Sequence, residues 1–193
     1  MEIFTFITGV IYIILEIRQK SSMWLVGVLT SLAAMWVFFN QGLYASFALN
    51  TYYLVTAFIG LWQWGKDRRS LKTSCPDGGS EDVIHLNTLT WKTIALSAVS
   101  VVAGTALLSW VMEMFENPMS VMDASVAVLS AVATWWLVKS YLEQWLLWVV
   151  ADMMLAVMCA VQGLWWMTVL YAAYTIAAVY GYFHWRRHGQ LCR

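Results

Sequence analysis

Long apolar stretches follow one another along almost the whole of this 193-residue chain. A helix needs about 20 apolar residues to cross the hydrocarbon core of a bilayer. Candidate stretches lie at 3–17, 23–39, 43–64, 91–112, 121–138, 144–161 and 164–185. Only 11% of the residues are charged, against roughly 25% in soluble domains. The chain therefore has too few charged residues to cover the surface of a soluble domain. The sequence therefore predicts an all-α, multi-pass membrane protein with seven transmembrane helices.

The basic residues indicate how these helices are oriented. If every stretch crosses the membrane, all eleven Lys and Arg residues fall on one side. They are Arg18, Lys20, Lys66, Arg68, Arg69, Lys72, Lys92, Lys139, Arg186, Arg187 and Arg193. Cytoplasmic loops carry an excess of Lys and Arg, so we expect the N-terminus outside and the C-terminus in the cytoplasm. A first stretch lying on the membrane surface is the alternative, and it would remove Arg18 and Lys20 from this pattern.

Two parts of the chain match each other after a shift of 121 residues. Trp24-Leu25 falls on Trp145-Leu146, and Gln41-Gly42-Leu43-Tyr44 falls on Gln162-Gly163-Leu164-Trp165. Further matches pair Arg18 with Lys139, Tyr53 with Tyr174, Gly60 with Gly181 and Trp64 with Trp185. Chance matching among Trp- and Gly-rich helices is the alternative to an internal repeat.

The repeat predicts a 3+1+3 arrangement. Residues 1–64 and 121–185 form the two three-helix repeats, and 91–114 forms the linker transmembrane helix. Residues 65–90 form a cytoplasmic loop, with a short surface helix as the alternative, and 186–193 form a cytoplasmic tail. An odd number of linker helices makes the two repeats parallel in the membrane. Transporters use such repeats, with the substrate site near the midplane.

Asp152 is an acidic residue predicted to lie deep in the membrane. It follows the start of the sixth stretch by about eight residues, or roughly 12 Å of helix. A carboxylate at that depth is costly, which makes it a functional candidate. No lysine or arginine is deep enough to pair with it, so water, polar side chains or a cationic substrate are the expected partners. A structural aspartate that joins helices is the alternative.

Aromatic residues accompany this acid. Helical spacing puts Trp145, Trp148 and Asp152 on one stripe. Similar stripes in the third and seventh stretches contain Asn50, Tyr53, Gly60 and Trp64, and Tyr171, Tyr174, Gly181 and Trp185. An acid among aromatic rings suits a flat cation, with cation–π contacts contributing about 0.5–2 kcal/mol each. Anchoring at the membrane interface explains the outer tryptophans equally well, but it does not explain the deeper residues Trp36, Trp148 and Asn50.

The sixth stretch resembles a family signature. Its Glu143-Gln144-Trp145-Leu146-Leu147-Trp148 string, with Asp152 four residues further on, is similar to the W-x-x-W-x-x-x-N motif of the PnuC nicotinamide riboside transporters. Gly42-Leu43-Tyr44-Ala45-Ser46 and Gly60-x-Trp62-x-Trp64 are similar to the first repeat of that family. The resemblance covers most of the chain outside 65–90. It implies a seven-helix fold like that of the SWEET sugar transporters, assembly as a homotrimer, and a place in the bacterial inner membrane.

The resemblance implies a uniporter for a small, unphosphorylated aromatic vitamin, with uptake driven by a cytoplasmic kinase that traps the imported product. Nicotinamide riboside is the first expected substrate. Thiamine is the alternative, because Asp152 stands where the signature has Asn and a carboxylate can bond to an aminopyrimidine. Proton-coupled transport through Asp152 and a non-transporting membrane scaffold are the remaining alternatives.

The expected site residues follow from the stripes and the resemblance. Substrate binding is assigned to Asp152, Trp148, Asn50, Tyr53, Trp36 and Tyr174, and gating to Trp145. We expect no enzyme activity, since no catalytic motif is present. No cofactor or metal is expected, because His85, His184 and His188 lack a metal-ligand spacing. Balanced charge gives no reason to expect a nucleic-acid partner. Glu143 is expected to pair with a nearby basic residue such as Lys139.

Overall fold

The computed structural model describes residues 11–40, 44–74, 84–114 and 120–191. Seven helices lie within these residues. They are α1 (11–17), α2 (Ser22–Asn40), α3 (Tyr44–Ser74), α4 (Trp91–Glu113), α5 (Ser120–Val138), α6 (Gln144–Val161) and α7 (Trp165–His188). The prediction of seven helices is confirmed. The first ten residues of the chain, including the start of the first predicted stretch, lie outside the described residues.

Three of the helices are long and apolar enough to cross a membrane by length and composition. They are Trp91–Val111 of α4, Val121–Val138 of α5 and Gln144–Val161 of α6. A shorter apolar segment, Ser22–Ala33, lies in α2. The outer surfaces of these helices carry many apolar side chains that the protein does not cover, such as Val102 and Trp110. Such uncovered apolar surface marks a membrane or protein contact.

Two features between and after the helices were not predicted from the sequence. Helix α3 runs to Ser74, well into the predicted 65–90 loop. Its polar end is rich in Lys, Arg and Gln, which favour helix, and the next helix-breaking residue is Pro76. A two-stranded sheet also pairs β1 (Ile84–Leu86) with β2 (Gly189–Leu191). Strands of three residues are too short to produce a recognisable alternation of polar and apolar residues.

The chain divides into two compact units, Met1–His85 with His188–Arg193, and Leu86–Arg187. In the first unit, α2 packs against α3. In the second unit, α5 packs against both α4 and α6.

A tryptophan seated on a glycine fixes the helices of the first unit. The buried ring of Trp24 in α2 lies against Gly60 of α3, where an added Cβ would collide with it. Trp24 also meets the ring of Trp64 edge to face, with centroids 5.2 Å apart and planes at 79°. Edge-to-face pairs of this kind contribute about 0.5–1.5 kcal/mol beyond their buried area.

The same arrangement is present in the second unit. The buried ring of Trp145 in α6 lies against Gly181 of α7, where an added Cβ would be 2.7 Å from three ring carbons. Trp145 meets Trp185 edge to face, with centroids 5.5 Å apart and planes at 87°. A residue larger than glycine would push α6 away from α7.

A tight turn with a left-handed residue follows α1 in the first unit. Gln19 has φ 47°, a conformation that costs a non-glycine residue about 1–2 kcal/mol. Its side chain compensates by bonding to the main chain of His85. Gln19 Nε2 donates to the His85 carbonyl at 2.9 Å, and the His85 N–H donates to Gln19 Oε1 at 2.7 Å.

The second unit has a matching turn after α5. Ser140 there has φ 55° and is completely buried. The Asn87 N–H donates to the Ser140 carbonyl at 3.1 Å, and Asn87 Nδ2 donates to the Lys139 carbonyl at 2.8 Å. In each unit, therefore, hydrogen bonds between the turn and a residue in or next to β1 hold a left-handed turn.

The imidazole of His85 packs beside an acid in the first unit. Its Nε2 lies 3.4 Å from Asp67 Oδ2, and Gln63 Nε2 donates to Asp67 Oδ1 at 3.1 Å. Burial disfavours the charged imidazolium, whereas the charge of Asp67 favours it. Burial has the larger effect, so the pKa of His85 lies below its usual value.

Replacing Gly181 with alanine is expected to destabilise the protein, since the added Cβ would lie 2.7 Å from the ring of Trp145. Overpacking of this kind costs about 1–3 kcal/mol, or roughly 2–12 °C in the midpoint of thermal unfolding for a chain of this size. Gly65→Ala is the matched control, because no atom lies within 4 Å of its Cβ position. Equal midpoints for the two variants would contradict the packing described here.

The lowered pKa of His85 predicts an acid-sensitive fold. The unfolded chain takes up this proton at about pH 6.5, before the folded protein does, so stability falls as the pH drops below that value. Thermal midpoints at pH 7.5 and 5.5 are therefore expected to differ more for the wild type than for His85→Gln. The variant keeps the main-chain bonds to Gln19, which makes it a folded reference. Equal pH dependence in both proteins would refute the prediction.

Candidate functional site

Asp152 lies on the buried side of α6. The helix begins at Gln144 and ends at Val161, so the predicted bounds of this stretch are confirmed. Asp152 is 6% exposed and lies roughly 12 Å along the axis from the first residue of the helix. Within the described residues, its carboxyl group makes no hydrogen bond and no salt bridge. A buried acid without a protein partner leaves its bonding capacity for water or a ligand.

Two tyrosines of α7 interact electrostatically with this acid. The rings of Tyr171 and Tyr174 meet edge to face, with centroids 6.2 Å apart and planes at 81°. Both tyrosines are close enough to Asp152 for an electrostatic interaction with it. The structure thus brings together Asp152 and Tyr174, two of the residues selected from the sequence. Tyr171 was not selected, although its place on the α7 stripe was a signal for it.

The two tryptophans of the signature have different surroundings. Trp145 is 1% exposed and is held by Gly181 and Trp185, so in this conformation its ring is part of the packing. Trp148, one turn closer to Asp152, is half-buried. Within the described residues, the indole N–H of Trp148 is buried without a hydrogen-bond partner. Buried donors are almost always paired, so this N–H could bond to a polar group.

The remaining residues selected from the sequence belong to the first unit. Tyr53 is half-buried in α3, with its ring 5.6 Å from that of Tyr52 and within electrostatic range of Tyr12. Asn50, also half-buried, lies one turn before Tyr53. Trp36 in α2 is 73% exposed, so the first unit does not enclose its ring. The roles assigned to these residues, and the gating role of Trp145, stay predictions.

Gln144 is a polar residue whose position the sequence did not single out. Its side chain is completely buried at the start of α6. In the described part of the chain, neither the nitrogen nor the oxygen of its carboxamide has a hydrogen-bond partner. Helical spacing gave a signal for it, since Gln144 lies one turn before Trp148 and two turns before Asp152. The neighbouring residue Glu143 also has a buried oxygen without a partner.

The expected ion pair between Glu143 and Lys139 is not formed. In the part of the chain that the structure describes, Glu143 makes no salt bridge. The ammonium group of Lys139 lies instead over the ring of Trp135, 5.4 Å from its centroid. A lysine above an aromatic face is attracted by the electron density of the ring, and this contact takes the place of the carboxylate.

Metal-binding chemistry finds no support in the described ranges. They contain no group of three or more His, Cys, Asp or Glu residues that could hold a metal ion. The groups on this row of α6 and on the neighbouring stripe of α7 are one acid, aromatic rings, two phenol groups, an indole N–H and a carboxamide. Such a set can bind a small, flat and polar molecule.

Comparison with known proteins shows similarity to one family of transporters. A family model described as "Nicotinamide mononucleotide transporter" matches residues 1–187. The chain is 24% identical over 190 residues to the nicotinamide riboside transporter PnuC of Neisseria mucosa, covering 94% of this chain and 70% of that protein. It is 24% identical over 191 residues to the Escherichia coli protein of the same name, covering 91% and 80%.

The fold is also similar to a solved one. A crystal structure of the vitamin B3 transporter PnuC superimposes with a TM-score of 0.67 at 23% sequence identity. The match covers 95% of this chain and 80% of the other. The seven-helix architecture is therefore that of a known transporter.

Proposed function

The chain belongs to the nicotinamide mononucleotide transporter family, and from this premise we propose that it is a uniporter for nicotinamide riboside. The protein is a multi-pass membrane transporter and not an enzyme. The proposed substrate is a small aromatic vitamin without a phosphate group. The observation that carries the proposal is the buried carboxyl group of Asp152, which lies beside two tyrosines and one turn from the unpartnered indole N–H of Trp148.

The chemistry of nicotinamide riboside matches these groups. Its nicotinamide ring is a flat cation, which an aromatic face and a carboxyl group both attract. Its ribose hydroxyls can bond to Asp152 or to the phenol groups of Tyr171 and Tyr174.

A phosphate group would not suit the site. It would bring about two negative charges near Asp152, and like charges at close range disfavour binding. The family is named for a mononucleotide, whereas the relatives compared above are named for the riboside. The charge of the site favours the riboside.

Alternating access is proposed to come from two parallel three-helix repeats, 1–64 and 121–185, joined by α4. The Trp–Gly contacts support this arrangement, since Trp24 with Gly60 and Trp145 with Gly181 differ by the same 121 residues. The left-handed turns at Gln19 and Ser140 differ by 121 residues as well. Rocking of one repeat against the other would then move the substrate.

The setting of the transporter is part of the proposal. We place the protein in a bacterial inner membrane, with its N-terminus outside and its C-terminus in the cytoplasm, because that orientation puts every Lys and Arg on the cytoplasmic side. A cytoplasmic kinase is proposed to trap the imported vitamin by phosphorylation, which gives a passive carrier its direction. Assembly as a homotrimer follows from the resemblance to the PnuC family. Asn50, Tyr53 and Trp36 are proposed to contribute to substrate binding, and Trp145 to act as a gate.

Three alternatives remain to be tested against this proposal. Thiamine is also a cation, and its aminopyrimidine can bond to the carboxyl group of Asp152. In proton-coupled transport, Asp152 would take up and release a proton during each cycle. A non-transporting membrane scaffold is a third possibility, and it requires that no vitamin binds with saturation.

Binding of the vitamin is expected to stabilise the purified protein in detergent. A ligand at 100 times its Kd adds about 2.7 kcal/mol to the free energy of unfolding, or several degrees in the thermal midpoint. Nicotinamide riboside, thiamine, riboflavin and nicotinamide mononucleotide are compared side by side. We expect a shift with the riboside and none with the mononucleotide. A protein that none of the four stabilises would refute the proposed function.

Asp152→Asn is expected to fold and to change the preference among vitamins. Asparagine is the residue of the family signature, so binding of nicotinamide riboside is retained. The affinity for thiamine should fall about tenfold relative to the affinity for the riboside. The carboxyl group can bond to the aminopyrimidine of thiamine, and the loss of one such bond is worth about 1.4 kcal/mol. Glu113→Gln, which changes an exposed acid at the end of α4, is the matched control.

The Asp152→Asn and Glu113→Gln variants also distinguish passive transport from proton-coupled transport. In proteoliposomes without a kinase, a passive carrier only equilibrates the vitamin, and an imposed pH gradient has no effect on either variant. Uptake against a concentration gradient that depends on the pH gradient, and that Asp152→Asn abolishes, would establish proton coupling instead. An unchanged ratio of affinities in Asp152→Asn would remove Asp152 from the binding site.

A further inference from the structure

The carboxamide of Gln144 is a buried group that the fold leaves without a partner. A carboxamide offers two donors and an acceptor oxygen. The Gln144 side chain is completely buried, and neither its nitrogen nor its oxygen makes a hydrogen bond to any of the described residues. Buried polar groups in native proteins are nearly always satisfied, so each exception requires an explanation.

The first unit provides an internal comparison for this residue. The position 121 residues before Gln144 is Met23, which is also completely buried. A methionine therefore occupies the corresponding interior position, and the fold does not require an amide there. By contrast, the unpartnered indole N–H groups of Trp24 and Trp145 occur in both units, so they belong to the shared packing. The amide of Gln144 and the indole N–H of Trp148 occur in the second unit alone, since Trp148 corresponds to Gly27.

The position of Gln144 connects it to the site around Asp152. Gln144, Trp148 and Asp152 are four residues apart in succession within one uninterrupted helix. Residues four apart lie on the same face of a helix. The row covers about 12 Å along the axis and presents a carboxamide, an indole ring and a carboxyl group in that order.

We infer that Gln144 is a further substrate-binding residue, which pairs with the carboxamide on the nicotinamide ring. One hydrogen bond is donated by the Gln144 nitrogen and one is accepted by its oxygen, so both unpartnered atoms are satisfied by one group of the ligand. The ring then lies at the level of Trp148, and the ribose hydroxyls reach Asp152. This inference rests on the proposed function and adds to it a basis for selecting the amide over the acid form of the vitamin.

The selectivity follows from the number of donors. In nicotinic acid riboside a carboxylate replaces the carboxamide, so the group accepts hydrogen bonds and donates none. The oxygen of Gln144 would then remain buried and unpaired. Sites built to bond to a polar group reject analogues that leave their own groups unsatisfied.

The test measures Kd for nicotinamide riboside and nicotinic acid riboside in the full-length protein. Gln144→Met introduces the residue of the first unit, and Met23→Leu is the matched control at the corresponding buried position. The wild type and Met23→Leu are expected to prefer the amide. Gln144→Met is expected to bind nicotinamide riboside about 10- to 100-fold more weakly and to lose the preference. A wild type that binds thiamine and not nicotinamide riboside would overturn the inference.

The outcomes are separable. Unchanged affinity for nicotinamide riboside in Gln144→Met would overturn the inference and leave the proposed function standing. Equal weakening of both ribosides would also overturn it, because it would show a structural effect on the site. A wild-type protein that binds none of these vitamins would overturn the inference and the proposed function together. Thermal midpoints of the three proteins without ligand confirm that each is folded.

Discussion

The contact between Trp145 and Gly181 sets the geometry of the second unit. It joins α6 to α7 at one level, because the indole ring lies directly on the backbone of the glycine. The two helices follow each other through a short turn, so they run in opposite directions. Asp152 comes seven residues after Trp145, and Tyr174 comes seven residues before Gly181. Each is therefore displaced by about 10 Å in the same direction from the contact, which explains why the acid and the tyrosine meet.

The helices could be predicted because hydropathy depends on composition, and membrane spans need a fixed length of apolar chain. Helices α5 and α6 end where the apolar stretches end. Asp152 was predictable for a related reason, since an acid in such a stretch is costly wherever it points. The exposure of Trp36 was not predictable. Periodicity indicates which residues share a face, and it does not indicate which face the neighbouring helices cover.

Gln144 and the small sheet escaped prediction for different reasons. A glutamine at the start of an apolar stretch looks like an ordinary end of a membrane helix, and its complete burial depends on the surrounding fold. The strands Ile84–Leu86 and Gly189–Leu191 are far apart in sequence. Their pairing is decided by where the chain brings them, so three-residue segments carry no local signal for it. The same holds for the bonds between Gln19 and the main chain of His85, which join residues 66 positions apart.

The two units differ in chemistry along one row of α6. At positions 121 residues apart, Met23 corresponds to Gln144, Gly27 to Trp148 and Ser31 to Asp152. Ser31 and Asp152 are both buried, at 5% and 6% exposure, so the depth is similar and only the chemistry changes. Burying an amide and an acid is unfavourable without partners. The first unit has small or apolar residues at these positions and does not bury an amide or an acid there. In the second unit, the buried amide and the buried acid both lie on one row of α6. Buried polar groups without hydrogen-bond partners on one helix face are suited to a binding site, because a bound substrate can supply the missing partners.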